Sequence, residues 1–242
     1  MIDINKHKFY LVQLLKDIYS DAELANCMGF KGGTALMFFH ELPRFSIDLD
    51  FNLLLPEKSE NVYQKLQKIV QKYGKIHDKA QKFHSDVIVL DYGATERKLK
   101  IEISNRQFND EYELKNLLGI NVKVLTLSNM FSHKLCALLD RNSLANRDIF
   151  DCWFFMNRQT PINETIIEQR MGKSLSEYLQ ECIDTLEKLP DKSLLAGLGE
   201  LIQPELKTFV RNKLRTEIIT LFRFYKSFPI IRDKNPKRLS QS

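Results

Sequence analysis

The chain has 242 residues, 43% of them hydrophobic and 28% charged, with a formal net charge of +5, which suits a globular protein of one large domain or two modest ones. No apolar run approaches the roughly 18 residues that cross a bilayer, and Lys6, His7, Lys8, Lys16 and Asp17 interrupt the N-terminal stretch, so neither a membrane span nor a signal peptide is expected. The cysteines Cys27, Cys136, Cys152 and Cys182 are scattered without a CxxC pair; buried free thiols of a cytoplasmic protein are expected, not a disulfide frame or a zinc site.

Residues 4 to 26 repeat apolar side chains at helical spacing (Phe9, Leu11, Val12, Leu14, Leu15, Ile18, Tyr19). A short strand over Met28 to Lys31 leads into Gly32-Gly33, and Thr34 is placed to cap a helix that stops before Pro43. From Ile47 to Leu55 the pattern becomes that of a strand, with Asp48, Asp50 and Asn52 on one face and Leu49, Phe51 and Leu53 on the other. A loop over 56–59 and a helix over 60–74 come next. Two β-rich runs, Asp86 to Tyr92 and Leu99 to Ser104, joined through Gly93, predict a hairpin, and one more short strand is expected near Val122 to Leu125.

From Ser128 onward the pattern is helical, over 128–141, 146–157, 174–188, 191–199 and 204–226. The expected organisation is therefore an α+β chain with an α/β core over 1–127 and a helical domain over 128–242. The last segment is basic: from Lys207 to Arg238 there are ten Lys or Arg residues against Glu217 and Asp233, a candidate surface for phosphates or else a solvated helix face and tail.

The stretch KGGTALMFFHELPRFSIDLDF, residues 31–51, carries the most chemistry. Asp48 and Asp50, on one strand face, stand about 6 to 7 Å apart and repel at neutral pH unless a cation lies between them. A hard divalent ion with oxygen ligands meets that need, and Mg²⁺ characteristically takes one or two protein carboxylates together with substrate phosphates. Gly32 and Gly33 let the backbone approach a ligand, and the amides opening the next helix favour an anion. Arg44 and Ser46 precede the acidic strand, where guanidinium and hydroxyl suit triphosphate oxygens; a structural ion pair for Arg44 is the alternative. His40 and His133 lack the spacing of a zinc site and are expected to pack helices.

These residues resemble the polymerase β-like nucleotidyltransferase superfamily, in which a Gly-[Gly/Ser/Thr] step precedes Asp-x-Asp on a strand; here Gly33-Thr34 precedes Asp48-Leu49-Asp50. More narrowly, KGGTAL with RFSIDLDF, and FSHKLCALLDRNSLANRDIFDCWFF further on, are similar to the two blocks of the AbiEii/AbiGii toxin family of bacterial abortive-infection and toxin–antitoxin systems. The resemblance covers residues 28 to 155; residues 156 to 242 match no motif.

It implies a polymerase β-like core, a small mixed sheet with flanking helices, followed by an α-helical region. It also implies nucleotidyl transfer from an NTP, with two Mg²⁺ (or Mn²⁺) ions held by Asp48, Asp50 and a third acid. Glu102, on a strand face with Lys100 and Ser104, is the expected third acid; Asp91 is the alternative. Lys134 is expected to meet nucleotide phosphates and Asp148 to hold the lysine or a ribose hydroxyl, with Asp151 bracing the helix. Gly32, Gly33, Thr34, Arg44, Ser46 and Lys134 form the expected nucleotide-binding set. The implied partners are an RNA acceptor, the tRNA 3′ end first among them, and a cognate antitoxin protein, without membrane association. A small-molecule transferase of the antibiotic-modifying kind, or a non-catalytic relative, are the alternatives.

Overall fold

In the computed structural model, residues 3–93, 97–140, 144–189 and 194–228 are described. The chain divides into two compact units, one running to Leu125 and the other beginning at Thr126.

The first unit opens with two helices, α1 (Ile4–Ser20) and α2 (Ala22–Cys27), where a single helix over 4–26 is expected. Asp21 is extended between them, and its carboxylate accepts from the amides of Glu23 and Leu24, so it ends one helix by capping the next. Strand β1 (Met28–Lys31) runs into α3 (Gly32–Phe39), and β2 (Leu49–Leu53) follows. A 3-10 turn at Pro56–Lys58 leads to α4 (Ser59–Gln71), then β3 (Lys75–Gln81), β4 (Ser85–Asp91), β5 (Leu99–Ser104), β6 (Tyr112–Leu117) and β7 (Ile120–Leu125).

The strands form one mixed seven-stranded sheet in the order β3-β4-β5-β2-β1-β7-β6. It is larger than the small sheet expected, because β3 and β6 carry mixed polar sequences (KIHDKAQ, YELKNL) without apolar alternation. Each lies on an outer edge, where pairing with one neighbour suffices. At the centre β2 pairs antiparallel with β1 and parallel with β5. The apolar residues Leu49, Phe51, Ile101 and Ile103 are fully buried, and Leu11, Leu14, Leu15, Leu66 and Val70 of α1 and α4 complete that core. The β4–β5 hairpin forms as expected, although Ala94, Thr95 and Glu96 of its connection lie outside the described residues.

The second unit is helical: α5 (Leu127–Cys136), α6 (Asn146–Asn157), α7 (Glu164–Met171), α8 (Leu175–Glu187), α9 (Pro204–Asn212) and α10 (Leu214–Ser227). The expected helix over 204–226 is broken near Lys213, and residues 194–200 form turns where a helix over 191–199 is expected; 191–193 lie outside the described residues. Helix α7 is not anticipated by the sequence pattern; Asn163 caps it through the Thr165 amide and Gly172 closes it at φ 66°. Phe131 stacks on Phe155 at 4.9 Å between centroids, and the Tyr178 hydroxyl donates to the carbonyls of Leu135 and Cys136. All four cysteines are buried and free. No described helix is long and apolar enough to cross a membrane.

Candidate active site

In the first unit, the β-sheet register aligns the acidic residues. Asp50 of β2 pairs with Glu102 of β5 on one side and with Lys31 of β1 on the other. Leu49 pairs with Ile101, so Asp48, one residue earlier, stands beside Lys100. Alternation along both strands puts Asp48, Asp50, Lys100 and Glu102 on one face, above the apolar residues that anchor the strands.

The Lys100 ammonium lies among these acids, 2.8 Å from Glu102 Oε2 and 3.9 Å from Asp48 Oδ2. The side chains are 35% exposed for Lys100, 36% for Glu102 and 19% for Asp48, so the cluster is open to a ligand. Burial pulls against the Lys100 charge, but the Glu102 bond and the fields of Asp50 and Asp48 outweigh it and raise its pKa. Burial likewise opposes the Glu102 charge; the bond from Lys100 and the charges of Lys100, Lys31 and Lys82 leave its pKa below the ordinary value. Asp50 is half-buried, and its carboxylate makes no hydrogen bond or ion pair among the described residues.

Among the described residues, no group of three or more His, Cys, Asp and Glu side chains is gathered as a metal site. The acids are instead arranged around an ammonium ion. Their chemistry nevertheless fits a hard divalent cation: the donors are all carboxylate oxygens, Asp50 is uncommitted, and a positive charge already stands where the acids face one another. Asp91, the alternative third acid, accepts from the Gly93 amide and lies 3.8 Å from Lys98. Val87, not Asp91, stands opposite Glu102, leaving Asp91 four residues further along β4, about 13 Å at the usual rise per residue.

The glycine pair meets this face directly. Gly32 has φ +82°, and a Cβ there would fall 2.4 Å from Asp50 Oδ2. At Gly33 a Cβ would fall 2.7 Å from Ser46 Oγ and 2.8 Å from Arg44 Nη2. Arg44 and Ser46 are both buried, and Arg44 Nη1 donates to the Phe45 carbonyl at 3.0 Å. Thr34 is not the helix cap: α3 begins at Gly32, and the buried Thr34 hydroxyl donates to the Asp48 carbonyl, which ties the helix to the acidic strand. His40 ends α3, its amide donating to the Leu36 carbonyl.

Beyond Asp50 the same face continues as a closed polar network. The Lys31 ammonium donates to Asn52 Oδ1, and Asn52 Nδ2 donates to Asp110 Oδ2 at 2.8 Å and Tyr112 Oη at 2.7 Å. Below Asp48, buried His7 bonds to the carbonyl of Ile47. Neither His7 nor this network is identified from the sequence.

The second unit holds Lys134 and Asp148. The Lys134 ammonium is 2.9 Å from Asp148 Oδ1 and 2.9 Å from Asp151 Oδ2, and both aspartates are fully buried. Local structure favours the pairing: Lys134 lies in the last turn of α5 and Asp148 in the first turn of α6, where helix dipoles stabilise those charges. Asp151 is thus a second partner of the lysine, beyond the bracing role expected. The side chain of Arg170 bonds to His133 Nδ1 and Asp140, joining α7 to α5.

Half of the described basic residues of the segment, Arg215, Arg223 and Lys226 out of six, are engaged. Arg215 donates to the carbonyls of Leu186 and Glu187 at the end of α8, Arg223 pairs with Glu187, and Lys226 donates to Gln180. Arg232, Lys234, Lys237 and Arg238 lie outside the described residues.

The family described as nucleotidyl transferase AbiEii toxin, type IV toxin–antitoxin system, matches residues 13–225. No curated protein matches the chain in sequence. The crystal structure of JHP933 from Helicobacter pylori superposes with a TM-score of 0.63 at 21% identity, over 94% of this chain and 93% of that one. A second H. pylori structure, provisionally described as a nucleotidyltransferase, gives 0.63 and 21% over 94% of this chain and 96% of that one. At such identity the likeness concerns the fold.

Proposed function

The chain belongs to the AbiEii nucleotidyl transferase toxin family of type IV toxin–antitoxin systems, and from that premise we propose that it transfers a nucleotide from an NTP to an RNA acceptor, the tRNA 3′ end, with divalent metal bound at Asp48, Asp50 and Glu102. The observation that carries this reading is the register that sets Asp50 beside Glu102, with Asp48 one step away on the same open face and the Gly32-Gly33 turn against Asp50.

Asp48, Asp50 and Glu102 would hold two Mg²⁺ or Mn²⁺ ions, which would supply charge for the triphosphate and the leaving pyrophosphate and lower the pKa of the acceptor hydroxyl. The protein's own part is positioning. The opening amides of α3 suit an anion, and glycine at 32 and 33 lets Asp50, Arg44 and Ser46 come close to that end of the helix. Arg44 adds a fixed positive charge behind Gly33, and Ser46 a hydroxyl. Thr34 acts on the acids, holding the Asp48 carbonyl. Lys134, held by Asp148 and Asp151, offers a compact charge for nucleotide phosphates. In the cell the protein works in the cytoplasm against a cognate antitoxin.

Incubation with each labelled NTP, Mg²⁺ and total bacterial RNA tests the proposal. Label is expected in the tRNA fraction, to be lost with Asp50→Asn. Label on a small molecule and none on RNA would favour the antibiotic-type reading. Expression without a partner is expected to slow bacterial growth, and harmless expression across hosts would argue against the toxic role.

A further inference from the structure

Lys100 is the residue on the acidic face that no part of the proposed transfer uses. Its position puts it between the acids: Asp48, just before β2, is within reach of its ammonium, its i+2 neighbour on β5 is Glu102, and Asp50 stands opposite Glu102. The ammonium has closed on Glu102 at 2.8 Å and reaches Asp48 at 3.9 Å, while the Asp50 carboxylate makes no hydrogen bond or ion pair among the described residues. A cation tethered to the strand therefore already occupies ground that a divalent ion would use.

We infer that Lys100 is a built-in competitor for the metal, which makes stable metal binding conditional on the arrival of nucleotide. The inference rests on the reading of Asp48, Asp50 and Glu102 as a metal site. Three carboxylates carry a formal charge of −3, and the lysine reduces this to −2 while holding Glu102. A metal ion entering alone meets a repelling ammonium a few ångströms away and must take Glu102 from its partner. A metal ion entering with a triphosphate brings phosphate oxygens to complete its shell, and the displaced ammonium gains phosphate in place of Glu102. The lysine also holds the acids together in the metal-free protein, where three like charges on one sheet face would otherwise repel.

Calorimetry with Mn²⁺ tests this, with Mn²⁺ alone and then with α,β-methylene analogues of the four NTPs one at a time. Lys100→Met is expected to bind Mn²⁺ alone at least tenfold more tightly than the wild type, and to gain less from added nucleotide. Lys100→Gln, measured in parallel, covers the case in which Lys100→Met does not fold. Lys100→Arg keeps the charge and is expected to stay within threefold of the wild type, as is Lys98→Met, just before the same strand. Unchanged or weaker Mn²⁺ binding in both neutral variants, with binding abolished by Asp50→Asn, overturns the inference and leaves the metal site standing. Absence of Mn²⁺ binding to the wild type, even with nucleotide, overturns the metal site and the inference with it.

Discussion

His7 Nε2 and the carbonyl oxygen of Ile47, forty residues apart in sequence, lie 2.8 Å apart. The carbonyl accepts, so Nε2 carries the proton, and the Tyr92 hydroxyl donates to Nδ1 on the other side of the ring. The imidazole is neutral and fully buried, and its partner immediately precedes Asp48. A side chain of the first helix thus fixes the backbone from which the first acid projects.

Burial of this ring lowers its pKa, the bond to Ile47 only partly offsetting that. The unfolded chain takes up the proton near pH 6.5, the ordinary value, and the folded protein only below it. The contribution of a neutral His7 is therefore complete above about pH 6.5 and is lost as pH falls toward the folded-state value. Melting temperatures from pH 8 to pH 5 are expected to fall more steeply for the wild type than for His7→Gln, which cannot titrate. Parallel curves would show that His7 does not govern this window.

Lys134 is an ion-pair partner of two fully buried carboxylates, Asp148 and Asp151, and its removal acts first on stability. Lys134→Ala leaves Asp148 and Asp151 without that ammonium, and breaking a buried pair in this way costs on the order of 3–5 kcal/mol. Urea unfolding is expected to show a loss of that size, with part recovered in Lys134→Ala/Asp151→Asn. Lost activity in Lys134→Ala is accordingly no measure of catalysis until the fold has been checked.

The legible parts of this chain were those with a strong local period. The alternation SIDLDF and LKIEI gave β2 and β5 and placed Asp48, Asp50 and Glu102 on their faces, because a buried apolar side chain at every second position fixes which way the acids point. The edge strands β3 and β6 lack that alternation and were invisible. His7 was also hidden, since its bond to Ile47 spans a separation that no local pattern encodes. Lys100 was visible as a neighbour of Glu102, but only the pairing of β2 with β5 brings its ammonium to Asp48 as well.

Gly33 tests the cradle. A methyl group at this position would sit 2.7 Å from Ser46 Oγ and 2.8 Å from Arg44 Nη2, both on buried residues. Gly33→Ala is expected to cost about 1–3 kcal/mol by overpacking and to raise the KM for NTP, since the displaced groups belong to the proposed phosphate site. Ser46→Ala in the same chain removes one of the clashes, so a double-mutant cycle is expected to show coupling of at least about 0.5 kcal/mol. Additive effects would mean that the backbone shifts at Gly33 and the neighbours stay in place.

Asp50 separates ligand from scaffold. It is half-buried and lies against Gly32, and its carboxylate makes no hydrogen bond or ion pair among the described residues, while Asp48 and Glu102 both face Lys100. A structural carboxylate in such a place would be expected to hold a donor. Asp50→Asn removes a like charge from the cluster and leaves Lys100 to Asp48 and Glu102, so the metal-free protein is expected to melt at or above the wild-type temperature. Transfer is expected to fall by on the order of 10²–10³-fold, the scale on which loss of one preorganised polar group acts. The rise in melting temperature given to the wild type by Mg²⁺ with NTP should largely vanish, because a ligand stabilises only the state it binds. Melting curves of both proteins, with and without Mg²⁺ and NTP, resolve the two roles. A metal-free Asp50→Asn that melts well below the wild type would make Asp50 part of the scaffold, and the proposed metal site would lose its central ligand.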